Sequence, residues 1–177
     1  MRWGESRFHW VRPIHSVVAV FNGKPLPYSI EPNDQEPAGR GIEASNRTVG
    51  HRFLAPEPFE VRDFADYRQK LRDAYVILDP AERRKVIWQK ANELAAAEGL
   101  TVKDDPALLD EVAGLVEWPV VLLGRIDEAF MDVPDEVLVS AIRTHQKYLC
   151  LLDKAGKLAP RFVLVANIET AGKGAGV

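Results

Sequence analysis

Cysteine is almost missing from this chain: Cys150 stands alone among 177 residues. One thiol cannot close a disulfide within the chain or build a thiolate zinc site, so the composition fits a reducing, cytoplasmic setting. Histidine is scarce as well. His9, His15, His51 and His145 are scattered without metal-ligand spacing, and no metal site is expected. No apolar run approaches the ~20 residues of a membrane span, so no membrane contact is expected. The N-terminus lacks the basic-then-apolar layout of a signal peptide. Charge of one sign is missing too. Twenty-three basic residues face 26 acidic ones, a net charge of -3. That is no polycation, and DNA is not an expected partner.

What charge there is lies unevenly. Residues 1–60 carry 7 basic and 7 acidic groups, residues 61–100 carry 8 and 7, and residues 101–177 carry 8 and 12. Any polyanion contact is therefore expected in the first 100 residues. Hydrophobic residues make up 46% and charged residues 28%, ordinary values for a globular chain with a real core.

Patterning predicts a mixed set of elements. His15–Phe21 reads as a strand, Asn22-Gly23 as a hairpin turn, and Leu26–Ile30 as its return. Pro25 and Pro27 cannot donate to a ladder and place that return on a sheet edge. Residues 31–46, with Pro32, Pro37, Gly39 and Gly41 among acids and amides, read as a surface loop. Thr48–Leu54 reads as a strand. Asp63 caps a predicted helix to about Asp73, with Phe64, Tyr67 and Leu71 on one face. Tyr75–Leu78 reads as a short strand. Asp79-Pro80-Ala81-Glu82 matches a capping box with proline at the first helical position, opening a helix that stops at Gly99. Its apolar face is read from Val86, Ala91, Leu94 and Ala95. Asp105-Pro106 starts another helix, carrying Leu108, Leu109 and Val112.

Pro119–Ile126 is nearly continuous in apolar residues, as a strand buried on both faces would be. Asp135 to about His145 reads as a helix with Val137, Leu138, Ala141 and Ile142 inward. Lys147–Leu152 and Phe162–Asn167 read as strands around the turn Ala155-Gly156-Lys157. Strands and helices mix without strict alternation. The fold class expected is α+β, with a mixed, mainly antiparallel sheet and packed helices. One domain is expected over 1–170, alone or with a helical satellite at about 63–115, followed by a flexible tail at 171–177.

Few groups suggest chemistry. Gly39, Gly41 and Gly50 lack the context of a phosphate-binding loop. Cys150 sits in an alternating apolar strand and reads as a buried structural thiol. Glu117, before Trp118-Pro119, has no partner acid and reads as a carboxylate bonding backbone N–H groups at the strand entry. Arg47 to Arg52 is a dense polar segment in which Arg47, His51 and Arg52 could hold RNA phosphates, or simply pair within a strand. Arg83-Arg84-Lys85 and Lys90 form a basic helix face that could track phosphates or only be solvated. His145-Gln146-Lys147 offers donors and acceptors to RNA or a partner chain, while its cations also suit a helix C-terminus. No catalytic residue emerges.

Seven segments in order carry a resemblance: Met1–Gly4, Phe8–Val18, Gly50–Leu54, the run Leu115–Gly124 (LVEWPVVLLG), Val133–Leu138, His145–Tyr148 (HQKY) and Val165–Glu169. Together they resemble the β subunit of bacterial glycyl-tRNA synthetase over nearly the whole chain. Val49 stands where that family often has a basic residue, and Leu149 where an aromatic is common. The resemblance implies an internal stretch of a chain several times longer, which fits the abrupt start at Met1-Arg2-Trp3-Gly4 and the glycine-rich tail.

The resemblance further implies an α2β2 heterotetrameric glycine-tRNA ligase that charges glycine tRNA using ATP and magnesium, both held by the α subunit. This stretch would hold no cofactor. It would be a non-catalytic domain touching tRNA or the α subunit, similar to an editing-type module of the phenylalanyl-tRNA synthetase β subunit. The contact candidates are Arg47, His51, Arg52, His145, Gln146 and Lys147. A hydrolytic editing domain for mischarged tRNA and a purely architectural scaffold are the alternatives.

Overall fold

The computed structural model of the chain describes residues 14–30 and 41–168. The segments before residue 14, the first part of the expected loop (31–40) and the tail from 169 lie outside the described residues. The chain forms two compact units that meet in sequence between Ala74 and Tyr75.

The first unit is built from short strands. β1 (Val17–Val18) and β2 (Val20–Phe21) share the stretch read as one strand. β3 (Lys24–Pro25) returns antiparallel to β2 through Asn22 and Gly23, both at positive φ (49° and 76°), as a type I′ turn requires. β4 (Ser29–Ile30) and β1 flank β5 (Ile42–Ser45), antiparallel and parallel respectively. Residues 42–45 were expected in a loop. Their alternation is weak, and the pairing on both sides rather than the local sequence makes them a strand.

β6 (Arg47–Thr48) pairs antiparallel with β7 (Phe59–Glu60). The strand expected to reach Leu54 stops at Thr48, because residues 52–54 form a turn. α1 (Phe64–Asp73) starts at Asp63, whose carboxylate accepts from the Asp66 N–H at 2.9 Å. Leu71 is buried on its inner face, but Phe64 is 69% exposed and does not join that face.

The second unit is a helical layer on a four-stranded antiparallel sheet. α2 (Pro80–Ala97) is capped by Asp79, which accepts from the Ala81 N–H at 2.8 Å. Gly99 ends it at φ 70°, with the Leu100 N–H donating back to the Ala95 carbonyl. β8 (Thr101–Val102), α3 (Pro106–Leu115), β9 (Val120–Arg125), α4 (Asp135–Ala141), β10 (Leu149–Leu152) and β11 (Leu158–Ala166) follow. The sheet order is β8-β10-β11-β9, antiparallel throughout. The α+β class and the mainly antiparallel pairing agree with the expectation.

Its core joins Ile87, Ala91 and Ala95 of α2 and Leu108, Leu109, Val112 and Ala113 of α3 to Leu149, Leu151, Ala159 and Val163 of the sheet. Ile87, rather than Val86 or Leu94, is the central α2 residue. It stands four residues before Ala91 and eight before Ala95, so the three stack on one face.

Three expectations fail here. Tyr75–Leu78 is not a strand; Tyr75 takes φ 59°, and the segment is tied down where the Ile77 N–H donates to the Glu117 carbonyl at 2.9 Å. β9 is not buried on both faces: it is an edge strand, and Leu122 is 45% exposed. None of the residues of β9 is fully buried, and a continuous apolar run does not reveal which face stays open. The helix expected to reach His145 ends its α-helical part at Ala141. A π-helical turn over Ile142–Gln146 follows, and Lys147 at φ 59°, ψ 36° reverses the chain into β10. Val137 and Ala141, expected inward, are exposed.

Candidate nucleic-acid interface

In the first unit the candidates lie along one stretch, β6 and the turn after it. Gly50 is needed for close approach: a Cβ there would lie 2.3 Å from the Ala74 Cβ and 2.5 Å from the Ala74 carbonyl oxygen. The His51 N–H accordingly donates to that carbonyl at 2.8 Å. The His51 ring is buried, 1% exposed, and its Nδ1 accepts from the Phe53 and Leu54 N–H groups, each at 3.3 Å. An accepting Nδ1 places the ring proton on Nε2, which has no partner among the described residues. His51 is therefore the interior brace of the turn. It is not a surface contact, contrary to its place among the candidate contacts.

The brace sets two neighbours outward. Arg52 is exposed, and its guanidinium carbon lies 5.8 Å from the Phe53 ring centroid. Phe53 itself is 70% exposed. Arg47 is exposed on β6, and neither Arg47 nor Arg52 makes an ion pair among the described residues. Val49 is half exposed on the same stretch. Sequence reasoning passed over Phe53; the signal available was an aromatic directly after a glycine-histidine-arginine turn.

The second unit holds the other candidates. His145 and Gln146 are exposed on the π-helical turn. Lys147 is half-buried and its Nζ lies 2.8 Å from Glu111 Oε1, so its charge is already partnered. The basic face of α2 is also largely engaged. Arg83 donates to three backbone carbonyls, Arg84 Nε lies 2.6 Å from Asp110, and Lys90 Nζ lies 2.8 Å from Glu93.

Glu117 does not do what its position suggested. Its carboxylate is exposed, and the side-chain carbonyl of Asn167 accepts from the Glu117 and Trp118 N–H groups at 2.7 and 3.0 Å. Fifty residues of separation hid that partner.

Beside the π-helical turn lies a cavity of about 240 Å³, bordered by Lys103, Asp105, Leu108, Arg143, Tyr148 and Cys150. Arg143 pairs with Asp105 through both its Nε and Nη2 and holds that carboxyl below its usual range. Burial pushes the Cys150 thiol up, away from the thiolate a nucleophile needs. Among the described residues, no group of histidine, cysteine and carboxylate side chains is arranged to hold a metal ion.

The family model described as "Glycyl-tRNA synthetase beta subunit" matches residues 1–175. The chain belongs to that family. A glycine–tRNA ligase beta subunit of Rhodospirillum centenum is 51% identical, covering all of this chain and 27% of the relative. The protein of the same name from Ruegeria is 46% identical over 99% of this chain and 25% of its own length, and that from Rickettsia akari 42% over 94% and 24%. The chain thus spans about a quarter of the length of the curated relatives it matches. No helix among the described residues is long and apolar enough to cross a membrane.

Proposed function

We propose that this chain is a non-catalytic part of the β subunit of a cytoplasmic glycine-tRNA ligase. In that reading the α2β2 enzyme joins glycine to its tRNA, the α subunit holds ATP and magnesium, and this stretch contacts tRNA. The observation that carries it is Arg52, a cation without an ion pair among the described residues, held outward by a buried histidine in a chain of this family. An arginine presented this way is ready to meet phosphate. Arg47, exposed on the strand that feeds the turn, supplies a second cation without an ion pair among the described residues. Lys147 is the weaker candidate, because binding RNA would cost it Glu111.

The test is Arg52→Glu in the full β chain assembled with its α partner. Glycylation should show a raised KM for tRNA, with glycine-dependent ATP–pyrophosphate exchange in the absence of tRNA unchanged. Equal loss of both activities would assign the segment to the catalytic assembly. No change in either would leave a scaffold role. The editing-type likeness to the phenylalanyl enzyme has its own outcome: hydrolysis of mischarged glycine tRNA above the buffer rate, lost on substitution of Lys103 or Arg143, would replace the non-catalytic reading.

A further inference from the structure

We propose that Phe53 is a stacking platform for an unpaired RNA base, with the Arg52 guanidinium flanking the same ring. The inference rests on the RNA-contact reading above and adds to it a base contact that phosphate binding does not require.

Three observations lead to it. First, Phe53 leaves 70% of its surface in water although it sits in an ordered turn. A large apolar ring gains by being covered, and the Arg52 guanidinium at 5.8 Å and the His51 ring at 6.2 Å leave most of it in water. Second, its backbone is pinned. Its N–H and that of Leu54 donate to His51 Nδ1, the His51 carbonyl accepts from the Ala55 N–H at 2.9 Å, and Gly50 lets the turn lie against Ala74. A ring so held loses little freedom on binding. Third, the charge beside it is positive and makes no ion pair among the described residues. Arg52 lies by the ring, and Arg47 is exposed on the preceding strand.

An apolar ring with exposed guanidinium groups beside it suits a nucleic-acid single strand. Every base offers a π-face, and arginine reads either a phosphate or a base plane. Paired bases inside a stem keep their faces stacked on one another, so the occupant is a loop, bulge or single-stranded end. A protein occupant would need an apolar pocket for Phe53 together with an acid for Arg52.

The experiment uses the full β chain with its α partner. Photoreactive benzoylphenylalanine at position 53 is irradiated with glycine tRNA, and the joined nucleotide is mapped. An unpaired nucleotide is expected. Crosslinking to protein, to a paired stem nucleotide or to nothing overturns the proposal. In parallel, Phe53→Leu should weaken tRNA binding about 5- to 100-fold with an unchanged salt slope, while Phe53→Trp retains it. Arg52→Gln should instead reduce the salt slope by about one. Normal binding by Phe53→Leu beside weakened binding by Arg52→Gln overturns the stacking and leaves the RNA contact standing. Normal binding by both overturns the two together. The exposure of Phe53 makes its substitution harmless to folding, which an unchanged melting temperature verifies.

Discussion

The Arg83 side chain on α2 caps the far end of α3: its Nε donates to the Ala113 carbonyl at 2.8 Å. Ala113 is one of the last residues of α3, where carbonyls lack helical partners and a cation is favoured by the helix dipole. The same guanidinium also takes the Ile77 and Leu78 carbonyls at 2.6 and 2.9 Å, tying the start of the second unit to both helices. Removing it strands three carbonyls at once. Arg83→Met should cost about 2–3 kcal/mol, read as a lower urea midpoint, because unsatisfied buried acceptors are expensive. Its neighbour Arg84 makes an exposed pair with Asp110, and Arg84→Gln should change stability by no more than about 0.5 kcal/mol. Equal midpoints for the two variants would refute the assignment.

Asp105 carries the acid sensitivity of the second unit. It caps α3 through the Leu108 N–H at 3.0 Å and pairs with Arg143 on the π-helical turn. The Arg143 hydrogen bond, the largest influence, lowers its carboxyl below the ordinary 3.8. A depressed carboxylate contributes stability above its unfolded value and loses it as pH falls through the folded value. Asp105→Ala should therefore be less stable than wild type by about 1–2 kcal/mol near pH 7, the usual cost of losing a helix cap. The difference should shrink below pH 3.8 as wild type loses the same interaction. A difference that persists undiminished at the acid end would mean that Asp105 acts through packing and not through its charge.

Most elements of the second unit were legible because their signals are local. Asp79-Pro80 and Asp105-Pro106 announce helix starts through short-range bonds, and Asn22-Gly23 announces its turn in the first unit by φ alone. Several of the misses depend on distant partners. β5 exists because β1 and β4 lie beside it, and β9 is an edge because nothing pairs with its outer flank among the described residues. Glu117 was credited with bonds that Asn167 makes, and Lys147, read as a possible contact, is held by Glu111. Of the candidate contacts, Arg47 and Arg52 stay exposed, while His51 turns inward for a reason no spacing rule encodes: its ring nitrogen substitutes for a missing turn acceptor.

Cys150 should report unfolding of the second unit. It is 5% exposed, paired across from Phe162, and burial raises its thiol above the ordinary 9.0. Both facts oppose thiolate formation, so alkylation by iodoacetamide at pH 8 should be slow in the folded chain and follow the opening equilibrium. The sign with pH follows: a thiol raised on folding contributes stability that is complete below its unfolded value and is lost as pH rises through the folded one. Rapid labelling without denaturant would mean that the cavity beside Lys103 and Arg143 opens to solvent far more often than the packing allows.

The brace at His51 separates two roles of one ring. Its Nδ1 holds the Phe53 and Leu54 N–H groups, whereas its body fills a site with 1% exposure. Asparagine can place its side-chain oxygen near the position of Nδ1, while glutamine reaches towards Nε2. His51→Asn should therefore keep the turn and lose only volume, costing about 1–2 kcal/mol, and His51→Ala should lose volume and both bonds, costing about 2–4 kcal/mol. The readout is the protection of the Phe53 and Leu54 amides against hydrogen exchange, retained in the asparagine variant and lost in the glutamine and alanine variants. Because the turn presents Arg52 and Phe53, tRNA affinity of the full enzyme should rank the same way: wild type, then asparagine, then glutamine and alanine. A glutamine variant with intact amide protection would show that bulk, not the Nδ1 acceptor, holds the turn.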